Sequence, residues 1–333
     1  MVKFSYMNTS SENNIEKPNI VQALLSGFNT IANKPYLILL PVLLDLFLWF
    51  GPTWRIDNVV TPVLQEVLNL PGVVTEDTAG LLEPLELNWQ DILTQFNLAT
   101  ALRTVPIGVP SLMISKPASA NPIGLPTSFM LGNGYQFFGI WIIFILIGLT
   151  LGSLYFQNIS KQISSPDQIS DRKPFIKVLL QVVLMPILLA VILIIIAIPL
   201  SFLIALVSLL GPGISQVFVV IALMAIFWVV MPLIFTPHGI FMYHQNLIAS
   251  MMTSISVVRV SMGQTAWFIL ISYVLIAGLD YLWAAPAPDN WLLLIGIVGH
   301  AFIVSAVVAA SFYFFKDATR FTQALLNQQT KNA

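Results

Sequence analysis

The sequence predicts an all-α integral membrane protein, a polytopic helical bundle with about six transmembrane helices. Its 333 residues are 57% hydrophobic and only 9% charged, and the mean hydropathy is +0.86. An ordinary soluble protein is about 25% charged. Residues 178–235 carry no formal charge, and their apolar side chains surround the helix instead of forming one stripe, which is typical of helices in lipid.

Six stretches are apolar enough to cross a hydrocarbon core of about 30 Å. We assign the spans to residues 35–51, 135–156, 178–210, 214–235, 265–284 and 290–315. A Gly-Pro-Gly sequence at 211–213 separates the third span from the fourth. Because residues 178–210 exceed the length that one span needs, we expect a kink at Pro186 and a crossing from Ile187 to Leu210.

Two shorter helices are predicted to be amphipathic and to lie at the cytoplasmic face, each directly before a span that carries one aspartate. The first follows a polar tail within residues 1–34, and the second lies within residues 236–264. The apolar face of the first comprises Val21, Leu24, Leu25, Phe28 and Ile31, and that of the second comprises Leu247, Ile248, Met251, Met252, Ile255 and Val258. Each face either enters the membrane interface or packs on the protein itself.

The distribution of basic residues predicts the orientation. With a cytoplasmic N-terminus and six spans, 11 of the 14 Lys and Arg residues lie inside, and only Arg55, Arg103 and Lys116 lie outside. The N- and C-termini are therefore predicted to be cytoplasmic, with residues 157–177 forming a basic cytoplasmic loop and 316–333 a cytoplasmic tail. We expect a multi-pass protein of the bacterial cytoplasmic membrane.

The longest connection, residues 52–134, is predicted to form an extracytoplasmic domain, which we call the outer segment. An apolar stripe along residues 59–67 predicts a helix, and Asn88 with Asp91 three residues later predicts the start of a second. Five prolines from Pro106 to Pro126 then indicate an extended, apolar loop. Such a loop either covers the outer mouth of the bundle or docks a partner protein.

Three ionisable residues within the spans are candidates for an ion- or proton-binding site: Asp45, Asp280 and His300. A charge in lipid costs several kcal/mol, so such residues often serve a function. If they converge, a carboxylate and a titrating imidazole would share a site. The alternatives are structural: Asp45 pairs with Arg55, Asp280 reaches headgroup water, and His300 is a neutral hydrogen-bonded residue.

Other residues are candidates for helix packing and for lipid binding. Gly148 and Gly152 form a GxxxG motif, and Ala301, Ser305 and Ala309 form a small-residue stripe. Both patterns let helix backbones approach closely, within this bundle or in a dimer. Arg172, Lys173 and Lys177 form a basic cluster that would bind anionic lipid, although the positive-inside pattern alone also produces such clusters.

The sequence also excludes several kinds of chemistry. The chain has no cysteine and a net charge of −1, which excludes thiolate chemistry and gives no overall attraction to nucleic acid. None of the metalloprotease, serine hydrolase, P-loop or dinucleotide-binding motifs occurs. We therefore expect no enzyme activity, no cofactor and no metal.

The segment from Leu247 to Leu279 resembles a family of bacterial six-helix membrane proteins that includes the membrane domain attached to some glycerophosphodiester phosphodiesterases. In that family a small and polar interfacial helix precedes a long span. Ala249, Ser254, Val258 and Arg259 occupy roughly corresponding places. The resemblance covers at most the C-terminal half and includes no catalytic motif, so it implies a membrane-domain fold but no activity.

Two hypotheses about function follow. The first is a non-enzymatic scaffold or accessory protein that binds membrane lipid, or a protein partner through residues 52–134. The second is a small permease or an ion- or proton-coupled transporter that uses Asp45, Asp280 and His300. A transporter requires those three side chains to meet at a polar cavity, whereas a scaffold has a filled bundle.

Overall fold

The computed structural model describes residues 16–68, 89, 92–93, 95–116, 121–164, 174–209 and 211–332. The fold is all-α, as predicted. The α-helices are α1 (Ile20–Asn33), α2 (Leu39–Phe50), α3 (Asp57–Leu68), α4 (Gly134–Ile163), α5 (Phe175–Ser208), α6 (Pro212–Val230), α7 (Thr236–Met242), α8 (Leu247–Val260), α9 (Met262–Trp283) and α10 (Leu293–Asn332). Strands β1 (Thr53–Arg55) and β2 (Ser128–Met130) pair in parallel.

Within the residues that the structure describes, five helical stretches are long and apolar enough to cross a membrane. They are Gly134–Ile163, Phe175–Ser208, Gly213–Met242, Met262–Trp283 and Leu293–Thr330. A sixth crossing results if Ile20–Asn33 and Pro35–Phe50 together form one span, and this pair is bent by 95° at the break between them. Pro35 explains the break, because proline lacks an N–H donor and disfavours the helical conformation of the residue before it.

Two long helices differ from their predicted bounds. Helix α5 runs without interruption from Phe175 to Ser208, with Pro186 inside it, so the helix does not end at Pro186, and a kink there stays a prediction. A proline removes one helical hydrogen bond, whereas a full break in an apolar environment would leave several backbone groups unpaired. Helix α10 continues to Asn332, well past the predicted end at Phe315, because its continuation packs on the protein, with Ala318 and Thr322 buried.

Helices α1 and α8 bury small residues together with only part of their predicted apolar faces. In α1, Ala23, Gly27 and Ile31 are buried, whereas Val21 is 65% exposed and Leu25 60% exposed. In α8 the buried residues are Leu247, Ser250, Thr253, Ser254, Val257 and Val258, whereas Ile248 and Met252 are exposed. Each predicted apolar face is thus divided between the protein interior and an exposed surface. Small residues facing inward and apolar residues facing outward are typical of helices that pack in lipid.

The described residues form two compact units. The first comprises Met1–Ala32, Phe156–Tyr273 and Ala306–Ala333, and the second comprises Asn33–Tyr155 and Val274–Ser305. Helices α4, α9 and α10 contribute residues to both units.

In the first unit, α8 supports a break in the fourth predicted span. Between α6 and α7 the chain forms a short 3-10 helix, Met231–Leu233, which contains Pro232. The Ser254 hydroxyl donates to the Pro232 carbonyl at 2.7 Å and accepts from the Phe235 N–H at 3.0 Å, and Ser250 donates to the Thr236 carbonyl at 2.6 Å. These bonds satisfy backbone groups that the break leaves unpaired. The inward polar face of α8 therefore has a structural role.

The α5–α6 hairpin contains the two least buried of the candidate spans. None of the most apolar 18-residue stretch of α5 is buried, and only 11% of the corresponding stretch of the next span is buried, against 56% for α10. Helical stretches that are apolar on all sides and so little buried are suited to contact lipid. Several long apolar helices of this kind indicate a multi-pass membrane protein.

In the second unit, helix α3 confirms the helix that the apolar stripe at residues 59–67 predicts. Asn88 and Asp91, which predict the second helix of the outer segment, lie outside the described residues. The loop that follows contains two short 3-10 helices, Leu98–Leu102 and Met113–Ser115, and strand β2. Most of its side chains between residues 97 and 113 are buried, so it does not lie flat over a surface.

Candidate functional site

Asp45 lies in the middle of α2 and is fully buried. Its carboxylate accepts hydrogen bonds from the Ser111 hydroxyl and from the backbone N–H groups of Leu112 and Met113, both at 3.0 Å. All three donors belong to one part of the outer segment, residues 97–116, which we call the buried loop. A buried carboxylate is stable only when hydrogen bonds replace the lost water, and three donors supply that replacement. Asp45 therefore anchors the buried loop.

The buried loop also packs against α4 at the two glycines of the GxxxG motif. A Cβ atom added at Gly148 would lie 2.3 Å from the Leu102 carbonyl oxygen, and one added at Gly152 would lie 2.8 Å from the Cα of Gly108. Only glycine allows so close an approach. The motif therefore serves packing within this chain, but its partner is the buried loop, at the end of the 3-10 helix Leu98–Leu102 and at Gly108, and not another α-helix.

Two side chains bind the connection between α9 and α10: Lys116 of the buried loop and Trp49 of α2. The Lys116 ammonium donates to the carbonyls of Ala284 and Pro286, and the Trp49 indole donates to the Pro288 carbonyl at 2.7 Å. Burial lowers the pKa of Lys116, because an ammonium loses hydration there. The buried loop is thus held by α2, by α4 and by the α9–α10 connection.

Asp280 and His300 form a direct pair between α9 and α10. The distance from His300 Nδ1 to Asp280 Oδ1 is 2.7 Å, and the side chains are 6% and 36% exposed, respectively. The other ring nitrogen of His300 is buried and has no hydrogen-bond partner among the described residues.

The structure thus joins two of the three predicted residues and gives the third a separate role. A cavity of about 200 Å³ lies between Leu48 of α2 and two parts of the outer segment, around residues 95–100 and 113–116. Asp45, Asp280 and His300 do not line it. Within the described part of the chain, no three His, Asp or Glu side chains are arranged to hold a metal ion.

The remaining predicted residues fall in different places. The alternative pairing of Asp45 with Arg55 is wrong, because Arg55 forms its ion pair with Asp57, at 2.7 Å. Ala301, Ser305 and Ala309 are all buried, and Ser305 accepts a 2.8 Å hydrogen bond from the Tyr155 hydroxyl. Lys177 is exposed, and Arg172 and Lys173 lie outside the described residues.

Sequence reasoning missed the partners of Asp45 in the buried loop. A usable signal was present: residues 104–115 carry no charge, although they include two prolines and a glycine that prevent a regular helix. Irregular backbone in an apolar environment must find hydrogen-bond partners within the protein. The nearest intramembrane carboxylate in sequence is Asp45, and it supplies them.

Comparisons with known proteins do not assign this site. The resemblance of Leu247–Leu279 to the membrane domain of some glycerophosphodiester phosphodiesterases stays a prediction. No protein-family model matches the chain, and no curated protein and no solved structure is significantly similar to it.

Proposed function

We propose that the protein is a non-enzymatic integral membrane protein of scaffold or accessory type, which binds lipid or a partner protein through its outer segment. The observation that carries this proposal is the coordination of Asp45. A carboxylate that takes part in transport exchanges partners during the cycle, whereas Asp45 is saturated by three donors from one buried loop. Such a residue acts as a fixed anchor.

The close packing around the buried loop supports the same proposal. Besides Asp45, the buried loop depends on the Lys116 hydrogen bonds and on the close approach to Gly148 and Gly152. Opening a path past it would break all of these contacts at once. The basic residues are distributed 11 to 3 in favour of the cytoplasmic side, which favours a bacterial cytoplasmic membrane with both termini inside.

Flux measurements test the absence of transport. The purified protein is reconstituted in liposomes that contain a pH-sensitive dye, and proton, sodium or potassium gradients are imposed. We expect the same leak as in protein-free liposomes for the wild type and for Asp45→Asn. Any gradient-driven flux in the wild type above that leak would overturn the proposal.

A second candidate function is a small proton-coupled permease, and one observation favours it. His300 Nδ1 and Asp280 Oδ1 are hydrogen-bonded at 2.7 Å, and His300 Nε2 is buried without a partner among the described residues. An imidazole that is hydrogen-bonded to a carboxylate within a span is a common arrangement at proton-transfer sites.

The same liposomes distinguish the two candidates. If the permease proposal holds, the wild type dissipates a proton gradient, and both His300→Gln and Asp280→Asn abolish the flux. The matched control is His238→Gln, because His238 is a buried histidine of the other unit, bonded to Ser311 at 2.7 Å. A flux that is equal in all variants would exclude a role for the pair.

A further inference from the structure

The outer segment contains a turn that presents apolar side chains outward, and we propose that this turn inserts into the outer leaflet of the lipid bilayer. We call residues 121–126 the apolar turn, and its inserted side chains are Ile123 and Leu125. The inference rests on the proposed function, in that it takes the protein to be a membrane protein. It names lipid as the ligand of one part of the outer segment.

The apolar turn has a fixed backbone. Asn121 and Gly124 exchange two backbone hydrogen bonds, of 2.9 Å and 3.0 Å, and the Asn121 side chain accepts from the Ile123 N–H at 3.0 Å. Gly124 has a φ of +135°, which glycine adopts readily. On this ordered backbone Ile123 is 76% exposed and Leu125 is 86% exposed.

The turn is attached at the C-terminal end of α2. The Asn121 side-chain amide donates to the Trp49 carbonyl at 3.2 Å, and Asn121 itself is buried. Trp49 lies one residue before the end of α2 and contacts the Trp291 ring at 6.1 Å between centroids. Tryptophans at span ends mark the boundary between hydrocarbon and headgroups. The apolar turn therefore lies at the level of the membrane surface.

The chemistry of the surrounding chain indicates lipid as the occupant. Residues 117–134 carry no charge, and exposed apolar residues continue from the turn through Phe129 and Met130 of β2. They lead directly to Tyr135, which is 91% exposed, and Phe138 at the start of α4, a candidate span. Along the chain, this segment thus runs directly into a membrane helix. Its exposed polar side chains, Thr127, Ser128 and Asn133, are all uncharged, and an uncharged segment with exposed apolar side chains suits a bilayer better than a water-exposed protein interface.

Because the chain has no cysteine, single-cysteine variants can report the environment of each position. Ile123→Cys and Leu125→Cys are labelled with the fluorophore NBD in phosphatidylcholine liposomes. Asn58→Cys, on an exposed position of α3, is the control for water, and Phe138→Cys is the control for lipid. The emission maximum is recorded, followed by quenching with lipids that carry a nitroxide near the headgroup.

We expect the labels at positions 123 and 125 to emit at shorter wavelength than the label at 58 and to be quenched at least half as strongly as the label at 138. Emission and quenching equal to those at position 58 would overturn the proposal. A blue shift without quenching by lipid would also overturn it, because it would indicate contact with protein, such as a second copy of the chain.

The two proposals can fail separately. A flux through the liposomes would contradict the scaffold function and leave the fluorescence result unchanged. A water-like signal at 123 and 125 with a lipid-like signal at 138 would contradict only the inserted turn. A water-like signal at 138 as well would contradict the membrane location on which both proposals depend.

Discussion

The carboxylate of Asp45 receives three hydrogen bonds from donors that lie within three consecutive residues of the buried loop. An ionised carboxylate has only acceptor sites, so it suits three donors better than any neutral side chain does. The buried loop has no regular secondary structure around Ser111, and its N–H groups need such acceptors. The carboxyl group of Asp45 in α2 is therefore explained by the backbone that it supports.

Asp45→Asn is predicted to destabilise the protein. The asparagine side chain replaces one acceptor oxygen by an NH₂ group, which faces donors and leaves at least one buried N–H group unsatisfied, at a cost of about 1–3 kcal/mol. Thermal unfolding in detergent should show a lower midpoint, and limited proteolysis should show faster cleavage within the buried loop.

Asp57→Asn is the matched control for this prediction. It removes the same charge from a partly exposed ion pair with Arg55, and such pairs contribute roughly 0–1 kcal/mol. If both variants lose the same stability, the anchoring role assigned to Asp45 is wrong.

The Arg55–Asp57 pair also predicts a small dependence of stability on pH. The hydrogen bond from Arg55 holds the pKa of the Asp57 carboxyl below its usual value. Its contribution is therefore present above the unfolded-state pKa of about 3.9 and is lost as the pH falls through the lower folded-state pKa. The difference in unfolding free energy between wild type and Asp57→Asn should shrink between about pH 5 and pH 3; a difference that grows on acidification would contradict this.

At the scale of elements, the sequence predicts where helices lie better than which face they bury. Strong signals in the sequence predict five of the helices, and all five are present: the apolar stripe predicts α3, and continuous apolar runs predict α4, α5, α9 and α10. For α1 and α8 the sequence predicts an apolar face, but not which of its residues the protein buries. In lipid, close packing decides burial, so Gly27 and Ser254 are buried while Val21 and Ile248 are exposed.

Gly148→Ala is predicted to be destabilising, although alanine is the better helix former. The added methyl group would lie 2.3 Å from the Leu102 carbonyl oxygen, and α4 and the buried loop would have to separate. Overpacking of this kind costs about 1–3 kcal/mol. The thermal unfolding midpoint in detergent should fall.

The same helix offers a control in Gly139, where an added Cβ meets no atom within 4 Å. Gly139→Ala should be neutral or should stabilise by up to about 1 kcal/mol, from helix propensity alone. Equal midpoints for the two variants would show that the buried loop does not press on α4.

At the scale of the whole molecule, two parts of the chain share one pattern. Helices α1 and α8 both have 14 residues, and each is followed by a one-residue gap and a second helical stretch, which begins at Pro35 or at Met262. That stretch carries one aspartate, Asp45 or Asp280, with a tryptophan one turn later. This extends the internal similarity noted from the sequence, and it gives the two aspartates comparable positions with different partners.

The candidate site could be predicted only in part from the sequence. Composition identifies Asp45, Asp280 and His300 as unusual, because charges are rare in such spans. Which of them pair depends on contacts between distant parts of the chain, since 66 residues separate Asp45 from Ser111 and 20 separate Asp280 from His300. No local pattern in the sequence contains this information. The sequence alone therefore could not show which of the three residues share a site.

The number of crossings is the remaining property of the whole molecule, and it fixes the relative position of the termini. If the bent pair of α1 and α2 counts as one span, there are six crossings and both termini lie on the same side; with five crossings they lie on opposite sides. We predict six, with both termini cytoplasmic. Single-cysteine variants at Lys17 and Asn327 should react with a membrane-impermeant maleimide only after permeabilisation of cells, whereas a cysteine at Asn58 should react in intact cells. Labelling of position 17 but not 327 in intact cells would indicate five crossings, with α1 and α2 not crossing the membrane.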